Sequence, residues 1–502
     1  MSPNQVIPVE NGPLSPIAES VMKCPSLTWE FNMGRLVIAA KAELIVRRTP
    51  FDTSPTFRTA LTQVADRVGS LADTQGPPSA VVRPPAGPPA REAAEYEREA
   101  DDDYPLDPEG PLGEVELWRL RGDLDSIEES QRLVKLVDNH PTPGGNDPAA
   151  VSPNHVAILS PVSPGGCPAA PPTPACSPCP PFIKPPTPEE PAAKVTILDS
   201  GYIWVQPPHR RLDQRVTVVR GQYLDPNTNT WQPDEPDGLY TNLAGQLDGI
   251  SGHGTFIAGL VAHVAPRTRL EVVGLRNQEV EIPIGPLSPG EQLGLFETEF
   301  AIAHAMIRRC DTDVIQCGFA FPTLNDYPSL PFAAVMAELR LPRAPRNGRV
   351  AVVSPAGNEQ SASRYWPAAL PDVIGVASTN RRGDGRAWFS NWGNWCDCCT
   401  RGEYVYSTFV YWDGPVEGDP LTDSECFRGW ARWDGTSFAA PKVSAEIARL
   451  LIEPTPEIPA GTLPADIGNM LIGGTAGVPV GEVIDGTLSG APGVALPYMQ
   501  IR

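Results

Sequence analysis

Three short strings in this chain combine residue types that can do acid–base and nucleophilic chemistry. The apolar run Val195–Leu198 leads directly into Asp199-Ser200-Gly201. A carboxylate at the end of a buried strand, followed by a glycine that lets the chain turn, is placed to orient an imidazole; taken alone, an aspartate there commonly just begins a turn. In Ser251-Gly252-His253-Gly254-Thr255 a histidine between two glycines precedes the apolar stretch Phe256–Val264, which reads as a helix. The glycines let a substrate approach the backbone and let the ring turn outward. His209, His263 and His304 lack such surroundings and read as ordinary core histidines. The third string, Asp434-Gly435-Thr436-Ser437-Phe438-Ala439-Ala440-Pro441, is a tight turn leading into a helix that begins at Ser437. A serine N-cap would explain Ser437 alone, but not the whole string. A helix N-terminus favours the negative charge that develops during acyl transfer.

From Lys194 the sequence alternates short apolar strands with amphipathic helices. Val195–Leu198, Leu270–Leu275, Asp313–Ala320, Val350–Ser354 and Val373–Ala377 read as buried strands, and Phe296–Arg309, Phe332–Leu339 and Ser437–Leu451 as helices. That alternation predicts a mostly parallel α/β sheet with ligand sites at the carboxyl ends of its strands. Residues 1–162 predict a small α+β region: strands over Arg35–Arg47, Val115–Leu120 and Asn154–Leu159, and helices over Pro55–Leu71 and Ser126–Val137. Inside it, the Pro-rich and then acidic stretch 74–111 is expected to be disordered. Residues 163–193 are too Pro-rich for helix or interior strand and read as an exposed linker, leaving 194–502 as the main domain.

The three strings resemble the signature blocks of the subtilase family, in the order Asp, His, Ser. A fourth block agrees: Val350–Gln360 resembles the strand and turn that carry the family's oxyanion-hole asparagine, which would be Asn358. Tyr365-Trp366-Pro367-Ala368, Val373–Ser378 and Phe389-Ser390-Asn391-Trp392-Gly393 resemble the family's spacing towards the serine. The resemblance covers roughly Lys194–Glu453 and implies a subtilisin-like three-layer α/β fold. It also implies a serine endopeptidase acting on protein or peptide substrates. Ser437 would attack the scissile carbonyl, His253 would move the proton, and Asp199 would orient the ring. A small α+β domain before a linker is similar to the family's inhibitory prodomains, so residues 1–162 are expected to bind the chain's own peptidase domain, or else to form a lasting partner-binding domain. A catalytically silent peptide-binding scaffold and an esterase using the same triad are the competing readings.

Some features depart from the family pattern. Where a Ser-Leu-Gly-like stretch usually lines the S1 pocket, this chain has Gly318-Phe319-Ala320, which are expected to bind substrate in a reshaped pocket. An insertion, roughly Tyr411–Arg432, carries Asp413, Glu417, Asp419, Asp423 and Glu425; these read as a solvated loop, with recruitment of a basic peptide as the alternative. Cys396, Cys398, Cys399 and Cys426 fit the paired spacing of structural zinc poorly and read as core thiols or a disulfide, so no metal is expected. The chemistry requires no cofactor. Calcium is frequent in the family, but no ligand set here can be matched to it. A net charge of −21 argues against nucleic acid and anionic membranes as partners. No apolar stretch approaches the length of a membrane span. The N-terminus has neither a basic nor an apolar signal region, so a cytoplasmic setting is expected, with export by another route left open.

Overall fold

The computed structural model describes residues 27–33, 35–47, 81–82, 112–113, 115–120, 125–136, 151–158, 169–175, 193–203, 212, 215–219, 222–225, 230–233, 247, 249–275, 296–309, 311–340, 350–416, 425–478, 480–483 and 496–499. In the N-terminal region, strands β1 (Leu27–Asn32), β2 (Arg35–Arg47), β3 (Val81–Val82), β4 (Val115–Leu120) and β5 (Val151–Ile158) form an antiparallel sheet. Helix α1 (Ser126–Leu136) packs on β2 and β5. It starts where Asp125 Oδ1 accepts the Ile127 and Glu128 amides, at 2.9 and 3.1 Å, satisfying donors that have no partner in the first turn. The helix expected over Pro55–Leu71 lies outside the described residues. So does the stretch 74–111, apart from Val81–Val82, which are a strand paired with β4.

The segment expected to be an exposed linker contributes a short strand, β6 (Thr173–Pro174), so it is not uniformly exposed. Beyond it come β7 (Lys194–Asp199), β8 (Val216–Val219) and the hairpin β9 (Gln222–Asp225) and β10 (Thr230–Pro233). Helix α2 (His253–Val264), β11 (Arg269–Gly274), β12 (Phe296–Thr298), α3 (Glu299–Ile307), β13 (Val314–Cys317), α4 (Leu330–Leu339), β14 (Ala351–Pro355), β15 (Ile374–Thr379) and β16 (Cys398–Arg401) follow. The hairpin β17 (Val405–Gly414) and β18 (Glu425–Trp433), helices α5 (Ala440–Ile452) and α6 (Pro464–Ile472), and the pair β19 (Val480–Val483) and β20 (Leu496–Met499) complete the chain.

The central sheet runs β19-β20-β16-β15-β14-β13-β7-β11-β8, all parallel except the edge strand β19. Such a sheet is covered on both faces, which is why its strands are apolar throughout rather than alternating. On one face Ile197, Val272 and Val353 pack with α2, α5 and α6; on the other Leu198, Ile315 and Val352 pack with α3 and α4. The second core also takes in Ile45, Val115, Leu117 and Ala157 from the N-terminal sheet.

Two elements differ from the sequence expectation. Phe296–Thr298, read as helix, is a strand that extends the N-terminal sheet by pairing with β5, and the helix begins only at Glu299. The two ends of the insertion, Tyr411–Gly414 and Glu425–Arg432, pair as antiparallel strands, and residues 417–424 lie outside the described residues. There Asp413 pairs with Arg428 at 2.9 Å, while Glu417, Asp419 and Asp423 lie outside the described residues.

The junction of β5, β12 and α3 is polar and buried. Glu299 is fully buried and accepts the His155 amide at 3.1 Å, His155 Nδ1 at 2.6 Å and Ser329 Oγ at 2.5 Å. His155 Nε2 in turn accepts the Leu324 amide at 3.1 Å. Removing a buried carboxylate that serves three donors leaves all of them unsatisfied. Glu299→Ala is therefore expected to destabilise the protein by about 3 kcal/mol, read as a lower urea midpoint.

Candidate functional site

Asp199 ends β7 and His253 opens α2, so the site begins where a central strand meets the helix that covers it. His253 Nδ1 lies 2.8 Å from Asp199 Oδ1 and 3.0 Å from Oδ2, and both side chains are fully buried. With Nδ1–H donating to the carboxylate, Nε2 carries the lone pair that can take a proton. Asp199 Oδ1 also accepts the Ser200 amide at 2.7 Å, and Ser200 Oγ accepts the Gly254 amide at 3.0 Å, tying strand end to helix start.

Gly318 is what lets the next strand pass this carboxylate. A Cβ on it would stand 1.6 Å from Asp199 Oδ2, so no larger residue fits without moving the acid. Gly318 therefore serves the Asp199 environment directly. The Phe319 side chain belongs to the core, fully buried with its ring 6.0 Å from that of Phe332. Of the three residues expected to bind substrate, only Ala320 has its side chain partly exposed.

Ser437 lies in a single 3₁₀ turn, Thr436–Phe438, ahead of α5 rather than within it. The turn is held by Phe438 N–H to Gly435 O and Ala439 N–H to Thr436 O, each 3.0 Å. It packs against α2, β14 and β15. Phe438 brings Ser437's neighbourhood to the histidine: its ring is 5.2 Å from that of His253, and Trp433 meets the same imidazole edge-on at 5.6 Å. Such a wall fixes the ring and excludes water from it.

Asn358 follows β14 and is also fully buried. Its Oδ1 accepts both the Thr436 amide and the Thr436 hydroxyl, each at 2.8 Å. With the oxygen so used, Nδ2 is the remaining donor end, 3.7 Å from where a Cβ on Gly435 would stand. The four residues singled out from sequence thus come from four chain segments and meet at the carboxyl ends of β7 and β14.

Two supporting residues were not assigned a role from sequence. Thr436 anchors Asn358 and also accepts the Gly357 amide at 3.1 Å. Asn391, inside the Phe389–Gly393 block, accepts the Glu359 and Ser361 amides at 2.9 Å each and donates to Ala356 O at 3.0 Å. The block itself was the available signal, because an asparagine in a loop has both donor and acceptor for clamping backbone.

The Pro-rich segment also reaches the site. Ala169 N–H donates to Asp434 O at 3.1 Å and Trp433 Nε1 to Ala170 O at 2.5 Å, while β6 pairs antiparallel with β18. The strand therefore lies along the residues that lead into the turn carrying Ser437.

Among the described residues no group of three or more His, Cys, Asp or Glu side chains is arranged to hold a metal ion. Cys317, Cys396, Cys398 and Cys399 are buried free thiols and Cys426 is an exposed one, so the alternative of a disulfide to Cys426 is not formed. Among the described residues no helix is long and apolar enough to cross a membrane.

Residues 191–462 match the subtilase family by sequence profile. A stretch of 123 residues is 34% identical to the extracellular basic protease of Dichelobacter nodosus, covering 24% of this chain and 18% of that protein, less than a fifth of its length. Among solved structures, the chain is similar to a cold-adapted subtilisin-like serine proteinase, with 18% identity over 62% of this chain and 89% of that one, TM-score 0.38. It is also similar to fervidolysin from Fervidobacterium pennivorans, a keratinolytic enzyme related to subtilisin, with 16% identity over 86% of this chain and 57% of that one, TM-score 0.48.

One charge beside the site has a measurable consequence. Lys442, in the first turn of α5, is buried and donates to Arg401 O at 2.9 Å. Burial, and secondarily the Arg401 charge, lower its pKa to about 7. The folded state thus prefers neutral lysine, and stability falls as pH drops from the unfolded value towards the folded one. Lys442→Met is expected to stabilise the protein more at pH 6 than at pH 9, by on the order of 2 kcal/mol, in paired denaturation curves.

Proposed function

Because this chain belongs to the subtilase family, we propose that it is a serine endopeptidase, with Asp199, His253 and Ser437 as its catalytic triad. The observation that carries this reading is the fully buried contact of His253 Nδ1 with Asp199, beside the turn that presents Ser437. Ser437 Oγ attacks the carbonyl carbon of a peptide bond as His253 Nε2 takes its proton. Asp199 holds the tautomer and stabilises the imidazolium. The Asn358 amide and the Ser437 backbone N–H receive the oxyanion. The imidazolium then returns its proton to the leaving amine, giving an acyl-enzyme that water hydrolyses by the same steps in reverse. These groups supply the chemistry without a cofactor.

We also propose that the N-terminal region controls this site. Two contacts support that reading: the peptidase strand β12 completes the N-terminal sheet at β5, and β6 lies along β18 next to the nucleophile turn. A chain so tied would release its cleft when the segment 163–193 is cut or displaced.

A serine-directed fluorophosphonate should label the wild type and not Ser437→Ala; a wild type that stays unlabelled would favour the silent scaffold, and equal labelling would place the reactive group elsewhere. Asn358→Ala should keep KM and lose about 10²–10³ in kcat, the cost of removing the corresponding asparagine in subtilisin. Wild type but not Ser437→Ala should shorten on storage by a cut between Ser163 and Ala193, read by intact mass. If both stay full length, self-processing is wrong.

A further inference from the structure

The residue after the oxyanion asparagine is held in an unusual way. Glu359 is partly exposed as a residue, yet its carboxyl group is enclosed. Glu359 Oε2 accepts the Asn358 backbone N–H at 2.9 Å and Asn391 Nδ2 at 3.0 Å, and the Tyr365 hydroxyl donates to the same carboxylate. The space around it is filled. A Cβ on Gly357, whose φ is +95°, would stand 2.5 Å from Asn391 Nδ2, 3.0 Å from Glu359 Oε2 and 3.1 Å from Tyr365 Cδ1. Burial pushes the Glu359 carboxyl up to about 7, against the hydrogen bonds that pull it down. A side chain turned into its own loop in this way fixes the peptide plane from which the Asn358 side chain projects.

The same cluster reaches the N-terminal sheet. Arg35 of β2 stands with its guanidinium 5.7 Å from the Tyr365 ring centroid and donates Nη1 to Arg364 O at 3.1 Å. It also forms an ion pair with Asp326. A continuous set of contacts therefore runs from Arg35 through Tyr365 and Glu359 to the Asn358 backbone.

Resting on the peptidase reading above, we propose that Glu359 is a positioning residue for the oxyanion donor Asn358, and that Tyr365 is the link through which the docked N-terminal sheet acts on it. A donor displaced by even a fraction of an ångström from the developing oxyanion loses stabilisation that only the transition state uses, so the effect belongs in kcat rather than KM.

The test is steady-state kinetics on peptides that vary at the residue before the cut, with thermal midpoints as a check on folding. Glu359→Ala should lower kcat 10- to 100-fold, with KM within threefold and the order of preference unchanged. Glu359→Gln, whose carbonyl can accept the same two N–H groups, should recover kcat to within threefold of wild type. A changed preference with kcat retained would make Glu359 a pocket residue and overturn the proposal, as would a Gln variant no better than Ala.

A double-mutant cycle of Arg35→Met with Tyr365→Phe tests the link without relying on Glu359→Ala folding. Arg35→Met should change kcat at least fivefold when Tyr365 is present and less than twofold beside Tyr365→Phe. Equal factors in both backgrounds would mean simple undocking and overturn the link. Wild-type hydrolysis that survives Ser437→Ala would sink the peptidase reading itself. Hydrolysis that depends on Ser437 while Glu359→Ala matches wild type would sink this inference alone.

Discussion

A carboxylate taken wholly out of water needs compensation, and at Asp199 that comes from the His253 ring and the Ser200 amide. Much of the surrounding architecture follows from keeping that pair together. The acid has to end a central strand, the histidine has to begin the helix that packs over it, and the adjacent strand has to carry glycine at 318, because any Cβ would displace the carboxylate. The aromatic side chains of Trp433 and Phe438 then close the other side of the imidazole. A low-dielectric enclosure of this sort strengthens each remaining polar contact, which suits a site that must stabilise transient charge.

The Asn358 side of the site is built differently. Asn358 is held by Thr436 from the turn that carries Ser437, so the proposed nucleophile and the proposed oxyanion donor share one hydrogen-bonded unit. Asn391 and Glu359 then brace the loop from behind. For the proposed reaction, mutual anchoring of this kind pre-organises the donors and lowers the reorganisation required. Its other face is coupling: Arg35 and β5 bring the N-terminal sheet into contact with residues that belong to the same network or to the helices behind it.

Much of this was legible in the sequence, for physical reasons. Buried parallel strands must be apolar on both faces, so Val195–Leu198 and Val350–Ser354 announced themselves. Asp199, His253 and Ser437 stand in glycine- and alanine-rich strings because close approach of helices and strands leaves room for little else. Elements whose nature depends on distant partners were harder to read. Phe296–Thr298 continues smoothly into helical sequence, and only the edge of β5 makes it a strand. Thr173–Pro174 looked incapable of pairing, yet an edge position tolerates proline because one side needs no donors. Phe319 suggested a pocket by position, but beyond the end of β13 its side chain continues the alternation of Ile315 and Cys317 into the core. Thr436, Asn391 and Glu359 act through hydrogen bonds to backbone, and that role leaves no periodicity to detect.

The central claim is that Asp199 holds His253 in the tautomer that activates Ser437. The most direct measurement is kcat and KM of Asp199→Asn beside wild type on one peptide near neutral pH. An amide in place of the carboxylate preserves shape but not the demand for Nδ1–H. The account predicts a loss of about 10⁴ in kcat with KM little changed. A loss of less than tenfold would contradict it.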